Sequence, residues 1–336
     1  MTDMIELDGA TGGGQLLRTA LSLSLCTGIG FTMQHIRAKR SRPGLMRQHL
    51  TAVNAAARIG NACTHGAQLG ATTLRFEPGV VVPGEYAFAT GSAGSAILVL
   101  QTVLPPLWRC EAPSRLRLEG GTHNPLAPSA DFITDTYLPA LTKIGIDASI
   151  VLERPGFFPA GGGILHATVS PASTLRHADF VERGELVSID VVAMLSGLAA
   201  SIGERELQTL AKRLQLKSDA LHLHEVRPSI GPGNALLVRV RHAHHPQLAS
   251  RRLPVAVTLL VLRLRRRLRT HPAAERQDPP HSDAALPRVV HHPFRRFLGI
   301  QRYAVRFRAG ARRSQRCGSR HVWTFRGAFH PCRVRT

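Results

Sequence analysis

The sequence predicts an α/β (α+β) fold: repeated βαβαββ units, each laying two helices on one face of a four-stranded sheet, plus a smaller inserted α/β domain. Three observations predict it. Segments of strand and helix period run through the same order twice in residues 1–170, at an offset of about 81–85 residues. A small-residue loop joins strand to helix at the same point of each pass, Gly12-Gly13-Gly14 in the first and Gly91–Ser95 in the second. The pattern then changes twice, which divides the chain into 1–182, a core of two repeats; 183–240, the start of an inserted domain; and 241–336, a segment of different composition.

The first pass opens with a short strand at Met4–Leu7, then the glycine loop, then an apolar helix over Gln15–Cys26. A strand follows at Phe31–His35. The next helix is expected to open at Pro43, whose fixed φ and missing N–H suit a first helical turn. Met46, Leu50, Val53 and Ala57 recur at helical spacing and predict its buried face. Strands at Ala62–Thr64 and Thr72–Phe76 complete the unit. The second pass has a strand at Tyr86–Ala89, a helix at Ala96–Leu104 and a strand at Ser114–Leu118. A turn-rich loop from Gly120 to Pro125 precedes a helix at Ser129–Lys143 and strands at Ala148–Leu152 and Gly163–Val169.

Residues 183–240 read as a smaller α/β piece. Glu185–Met194 alternates like a strand, and Arg205–Leu216 carries Leu207, Leu210, Ala211 and Leu214 at helical spacing. Leu221–Val226 and Ala235–Val240 are predicted strands on either side of Gly231-Pro232-Gly233-Asn234.

Charge sets the last segment apart. Of the net +21, residues 1–240 carry +2; residues 241–336, with 22 Arg, no Lys and three acids, carry +19. This segment also holds nine His and no sustained helix or strand period. Disordered basic arms mix Lys with Arg, Gly and Ser, whereas Arg, His, Pro and Ala are what GC-rich DNA yields in a shifted frame. The segment therefore reads as out of frame and poorly ordered. Any case for nucleic-acid binding rests on the nearly neutral front part. The five cysteines show no CxxC spacing, and Cys26 and Cys63 lie among apolar neighbours like core thiols. The start lacks a basic stretch followed by an apolar one, and the run Leu253–Leu262 is too short to span a bilayer. A cytoplasmic protein without a membrane partner is expected.

Two motifs carry anion-binding chemistry. Asp8–Arg18 places Gly12, Gly13 and Gly14 between a strand and a helix, where backbone N–H groups and the helix dipole favour an anion and Arg18, one turn in, adds charge. The same glycines would also serve a plain βα turn. Between Arg37 and Arg47 five cations (Arg37, Lys39, Arg40, Arg42, Arg47) precede a helix. Together they suit a polyphosphate or an RNA phosphate end, because guanidinium grips phosphate with two parallel donors. Gln101 lies within an apolar helix, His123 in the Gly120–Pro125 loop reads as structural, and Gly156–Gly163 forms a turn loop that could line a cleft.

These motifs, in this order, resemble the bacterial-type RNA 3′-terminal phosphate cyclase family. The matching stretches are Asp8–Arg18, Ile36–Leu50, Gly91–Gln101, Gly120–Asp131 and Arg154–Gly163, with a weaker match at Gly231–Asn234. The resemblance implies three βαβαββ units with the smaller domain inserted before the third. It implies a ligase-class RNA-processing enzyme that converts an RNA 3′-phosphate to a 2′,3′-cyclic phosphodiester, using ATP and a divalent metal (Mg or Mn). The route runs through adenylation of a histidine, transfer of AMP to the RNA phosphate and attack by the neighbouring 2′-OH.

By residue match, Gln101 contacts ATP, Arg18, Arg37 and Arg40 bind phosphates of ATP or the RNA end, and Gly12, Gly13 and Gly14 form the glycine loop. The chain departs from the family in two places. Its loop lacks the Glu of the Gly-Glu-Gly-Gly-Gly-Gln pattern, which leaves Asp8 as the nearest acid and the metal ligands unassigned. No match to the nucleophilic histidine follows residue 240, since the neighbours of His321 and His330 fit no family motif. The expectation is a cyclase gene product whose present chain is inactive. The alternative is a non-catalytic RNA-binding or assembly protein on the same fold.

Overall fold

The computed structural model describes residues 4–228, 230–244 and 247–251. Most of the Arg- and His-rich segment, with His321 and His330, lies outside the described residues. The first unit runs β1 (Ile5–Asp8), α1 (Gly13–Thr27), β2 (Phe31–Gln34), α2 (Arg47–Ile59), β3 (Cys63–His65) and β4 (Leu74–Glu77). Its sheet has the order β1-β2-β4-β3. The helical crossover makes β1 and β2 parallel, and the remaining pairs are antiparallel.

The second unit runs β5 (Glu85–Ala89), α3 (Ala96–Leu107), β6 (Ser114–Gly120), α4 (Ala130–Phe132), a π-helical turn (Ile133–Tyr137), α5 (Leu138–Lys143), β7 (Ala148–Arg154) and β8 (Gly163–Val169). Its sheet order, β5-β6-β8-β7, repeats the first-second-fourth-third order of the first unit. The duplication read from the sequence is therefore present in the strand pairing itself. Leu17, Leu21 and Leu25 of α1, Val53 and Ile59 of α2, and Ile97, Leu100 and Leu104 of α3 belong to one core shared by both units. Each such side chain removed from water contributes about 1.5–3 kcal/mol. That packing fixes where the helices begin, and so where their N-terminal loops meet.

Local chemistry moves several element ends from their sequence positions. α2 starts at Arg47, not at Pro43. Gly44, at φ +77, sends its N–H to Ile36 O and Leu45 sends its own to Ala71 O, so the chain is still tied to neighbouring loops where a helix was expected. The buried face of α2 is His49, Ala52, Val53, Ala56 and Ile59, with Met46, Leu50 and Ala57 only half-buried. α3 continues through Pro105 and Pro106, because prolines in a last turn remove donors without blocking the following Trp108 N–H, which reaches Leu104 O. The predicted helix at Ser129–Lys143 is interrupted by the π turn, with Ser129 Oγ accepting the Phe132 N–H at its start. Cys63 is exposed and Cys26 half-buried, so neither is a core thiol.

A third sheet has the order β10-β9-β11-β12, built from β9 (Leu186–Ser196), β10 (Leu221–Val226), β11 (Gly233–His242) and β12 (Gln247–Arg251). α6 (Ala200–Leu214) crosses from β9 to β10, which run parallel. It begins at Ala200, before the predicted Arg205; its first turn, Ala200–Gly203, fully buries only Gly203 and so carries little apolar signal. Val191 and Ala193 of β9, with Leu236 and Val238 of β11, face Leu207 and Leu210 of α6. Their neighbours Val192, Met194, Ala235 and Leu237 face the opposite way, onto Phe157 and Phe132 of the second unit. Burial on both faces explains why the alternation expected over Glu185–Met194 gives way to an unbroken buried run from Val191 to Ser196. β11 and β12 pair across residue 240, with Val240 opposite Gln247. No helix among the described residues is long and apolar enough to cross a membrane.

Candidate phosphate-binding site

Three helix starts converge where the two units meet. α1 opens at Gly12 with no side-chain cap and no acid in its first turn, which leaves its leading backbone N–H groups and positive dipole end without a side-chain acceptor. α2 brings Arg47, Gln48 and His49 to the same place. Arg47 Nη1 donates to Gly91 O at 3.1 Å, and Gln48 Oε1 accepts the Ser95 N–H at 3.1 Å. Both ties hold the loop that opens α3, whose first turn is capped by Ser95 Oγ accepting the Leu98 N–H.

Glycine is required where these elements touch. A methyl group at Gly14 would overlap the His49 ring and come within 3.1 Å of Arg18 Nη1. At Gly13, with φ +59, it would sit 3.2 Å from Arg40 Nη2. Arg18, Arg40 and His49 therefore surround the first turn of α1.

The charge is unbalanced. Arg18 is only 9% exposed, and its Nε donates to the neutral Oε1 of Gln101 at 3.3 Å. Among the described residues it forms no ion pair with an acid. Burial pushes its pKa down to about 10, so it is still a cation at neutral pH. His49 is pushed down to about 4 by burial, aided by the charges of Arg37 and Arg18, so its ring is neutral. Its Nδ1 accepts the Met46 N–H at 3.1 Å, which leaves the ring hydrogen on Nε2, facing Gly14. A buried cation with a neutral partner, a second guanidinium, an N–H donor and an uncapped helix start form a donor set fitted to an oxyanion.

Sequence reasoning placed Arg18, Arg40, Gln101, Gly12, Gly13 and Gly14 here, and the fold brings them together. Arg37 is turned elsewhere: its Nη1 donates to Arg42 O and Gly44 O, at 2.7 and 2.8 Å, and shapes the basic loop from within. Its charge still bears on His49 and Arg40. Asp8 does not enter the loop; it accepts the Ala10 N–H and approaches His35 Nδ1 at 3.4 Å, with 70% of its side chain exposed. Among the described residues no three His, Cys, Asp or Glu side chains gather to hold an ion. The donors at the glycine loop suit anions, and no metal ligand is assigned.

His49 and Gln48 were passed over in the sequence, although His49 lies three and four residues before Ala52 and Val53 on the buried face of α2. A second group gathers around His123, which reads as structural in the sequence; its partners carry no local signal. His123, 3% exposed, bonds Asp131 Oδ2 through Nε2 at 2.7 Å, and Asp131 Oδ1 accepts from Arg239 Nη2 of the third sheet at 2.9 Å.

A duplicated α/β core with a cluster of anion-suited donors at the junction of its repeats is thus the class that fold and site define. A sequence model of the RNA 3′-terminal phosphate cyclase family matches residues 10–301. Proteins named RNA 3′-terminal phosphate cyclase are similar at high identity. That of Koribacter versatilis is 47% identical over 248 residues, 73% of this chain and 70% of the relative. That of Pseudomonas fluorescens is 49% identical over 246 residues, 73% and 72% of the two chains. That of Ectopseudomonas mendocina is 50% identical over 248 residues, 74% and 72%. The chain belongs to the RNA 3′-terminal phosphate cyclase family.

Proposed function

We propose that this site serves the conversion of an RNA 3′-terminal phosphate to a 2′,3′-cyclic phosphodiester at the expense of ATP. The observation that carries the reading is Arg18: a buried cation with no acidic partner among the described residues, beside the uncapped start of α1. Uncompensated charge of this kind is costly to bury, and an incoming phosphate removes the cost. Arg18 and Arg40 grip phosphate oxygens, Gly13 and Gly14 let the backbone N–H groups approach, and His49 adds a neutral donor. Gln101 holds the Arg18 fork in orientation and is the contact proposed for the nucleotide. ATP, when bound, supplies the activation that turns a phosphate oxygen into a leaving group. The 2′-OH next to the fixed phosphate then needs little further ordering. Arg37 contributes long-range charge and loop shape. A divalent metal goes with the family reading. A cytoplasmic location goes with the same reading.

The domain division at 182 and 240, and the out-of-frame origin of the Arg- and His-rich segment, belong to this proposal. Under it, the present chain binds the RNA end without converting it, and a chain with the family's reading frame restored after residue 240 converts it. The test is incubation of both with ATP, magnesium and a 3′-phosphorylated oligoribonucleotide, scoring phosphatase-resistant ends. Conversion by the present chain would overturn the frame reading. No conversion by the restored chain would overturn the activity.

A further inference from the structure

His123, Asp131 and Arg239 take no part in the phosphate-binding site, yet they form an ionic chain that runs from the half-buried Arg239 to the buried His123. Asp131 has 10% of its side chain exposed; burial raises its pKa, but the hydrogen bond and charge of His123 and the charge of Arg239 outweigh that and hold it below the usual carboxylate range. Arg239 also donates from Nε to Asp135 Oδ2 at 2.6 Å, so one guanidinium on β11 clamps two acids flanking the start of the π turn.

The chain continues inward. His123 Nδ1 lies 2.9 Å from Thr122 Oγ1, which accepts the Gly156 N–H at 2.8 Å, and the His123 ring stacks on Phe157 with centroids 5.3 Å apart. Phe157 is itself packed by Val192, Met194 and Leu237 of the third sheet. The arrangement superficially resembles a hydroxyl–imidazole–carboxylate nucleophile. It is not one: Thr122 is 0% exposed, and its oxygen is committed to backbone.

The other end reaches the site. Asn124, next to His123, donates to Ala93 O; Gly121 N–H donates to Gly94 O at 2.8 Å, and Ala96 N–H donates to Gly121 O at 2.9 Å. These bonds fix the loop that Arg47 and Gln48 grip from the opposite side. A contiguous set of hydrogen bonds therefore runs from the third sheet to the start of α3.

We infer that the chain Arg239–Asp131–His123–Thr122 is a positioning device through which the third sheet sets the loop 91–95 beside the phosphate-binding site. Its members lie apart from the donors that surround the first turn of α1. They act by holding residues 120–124, and through them the backbone that Arg47 and Gln48 use. The effect on RNA-end binding rests on the proposed function; the effect on the loop does not.

The experiment is hydrogen exchange on the full chain, comparing Arg239→Ala, Arg239→Lys and Asp131→Asn with Glu225→Gln, which loses only an exposed pair on β10. Exchange at residues 93–96 and 121–124 is expected to rise about tenfold in Arg239→Ala and Asp131→Asn, less in Arg239→Lys, and not at all in Glu225→Gln. The double variant Arg239→Ala/Asp131→Asn should exceed the larger single effect by little, as members of one network do. If Arg239→Ala does not fold, Arg239→Lys and Asp131→Asn carry the comparison. Faster exchange confined to β11 and residues 130–137, with 93–96 unchanged, would overturn the inference and leave a merely structural clamp. In parallel, affinity for a 3′-phosphorylated oligoribonucleotide should fall about fivefold in Asp131→Asn. If the unaltered chain shows no preference for the 3′-phosphate, the functional reading fails while the exchange result stands by itself.

Discussion

Arg18 and Gln101 are 83 residues apart in sequence and joined by a 3.3 Å bond from Nε to Oε1. Arg18 is five residues past the first residue of α1, and Gln101 five past the first residue of α3. Equivalent positions of the two repeats therefore face each other, one carrying charge and the other the neutral group that orients it. The site lies where the duplicated units meet.

Replacing Arg18 separates binding from stability. Arg18→Met keeps the shape of the side chain and removes a buried charge that has no acidic partner among the described residues, so the protein should gain ~1–3 kcal/mol in urea unfolding. The same change should weaken ATP or 3′-phosphorylated RNA about 10- to 100-fold, since a charge-assisted hydrogen bond contributes ~1.5–3 kcal/mol. Arg18→Lys keeps charge without the fork and should recover only part of the affinity. A variant that loses stability and keeps affinity would show that Arg18 is a core residue with no ligand.

Gly14→Ala sets two effects against each other. Helix propensity alone favours Ala by about 1 kcal/mol. Overlap with the His49 ring and crowding of Arg18 Nη1 should reverse the sign, to a net loss of about 1–3 kcal/mol. Urea midpoints decide it, and a net gain would mean that His49 moves aside freely.

His49 gives a pH dependence with a defined sign. Its folded pKa is about 4 against 6.5 for the free group. Between those values the unfolded chain takes up a proton that the native chain refuses, so stability falls as pH drops from about 6.5 towards 4. His49→Gln removes this contribution, and its stability should decline less steeply than that of the parent between pH 7 and 5. Equal slopes in the two proteins would place His49 in a hydrated environment.

Much of this architecture is legible in the sequence because it rests on local signals. Glycine loops, helix-period runs and the recurrence of both at one offset locate the units and the arginines that crowd the first loop. The rest depends on contacts between distant segments. Arg37 reads like its neighbour Arg40, and only the fold of residues 42–44 shows its Nη1 turned inward. His49 looks like one more residue of a basic stretch until packing places it under Gly14. His123 and Arg239, joined through Asp131, come together because the third sheet docks on Phe157, a contact with no local sequence signature.

The central claim is that the junction of the two repeats recognises a terminal phosphate of RNA. The most direct measurement compares binding of one oligoribonucleotide bearing a 3′-phosphate or a 3′-hydroxyl, by fluorescence anisotropy, to the full chain and to Arg18→Met. The account expects the 3′-phosphate to bind the full chain about tenfold tighter or more, with the preference lost in Arg18→Met. Equal affinity for the two ends, or a preference that survives in Arg18→Met, would contradict it.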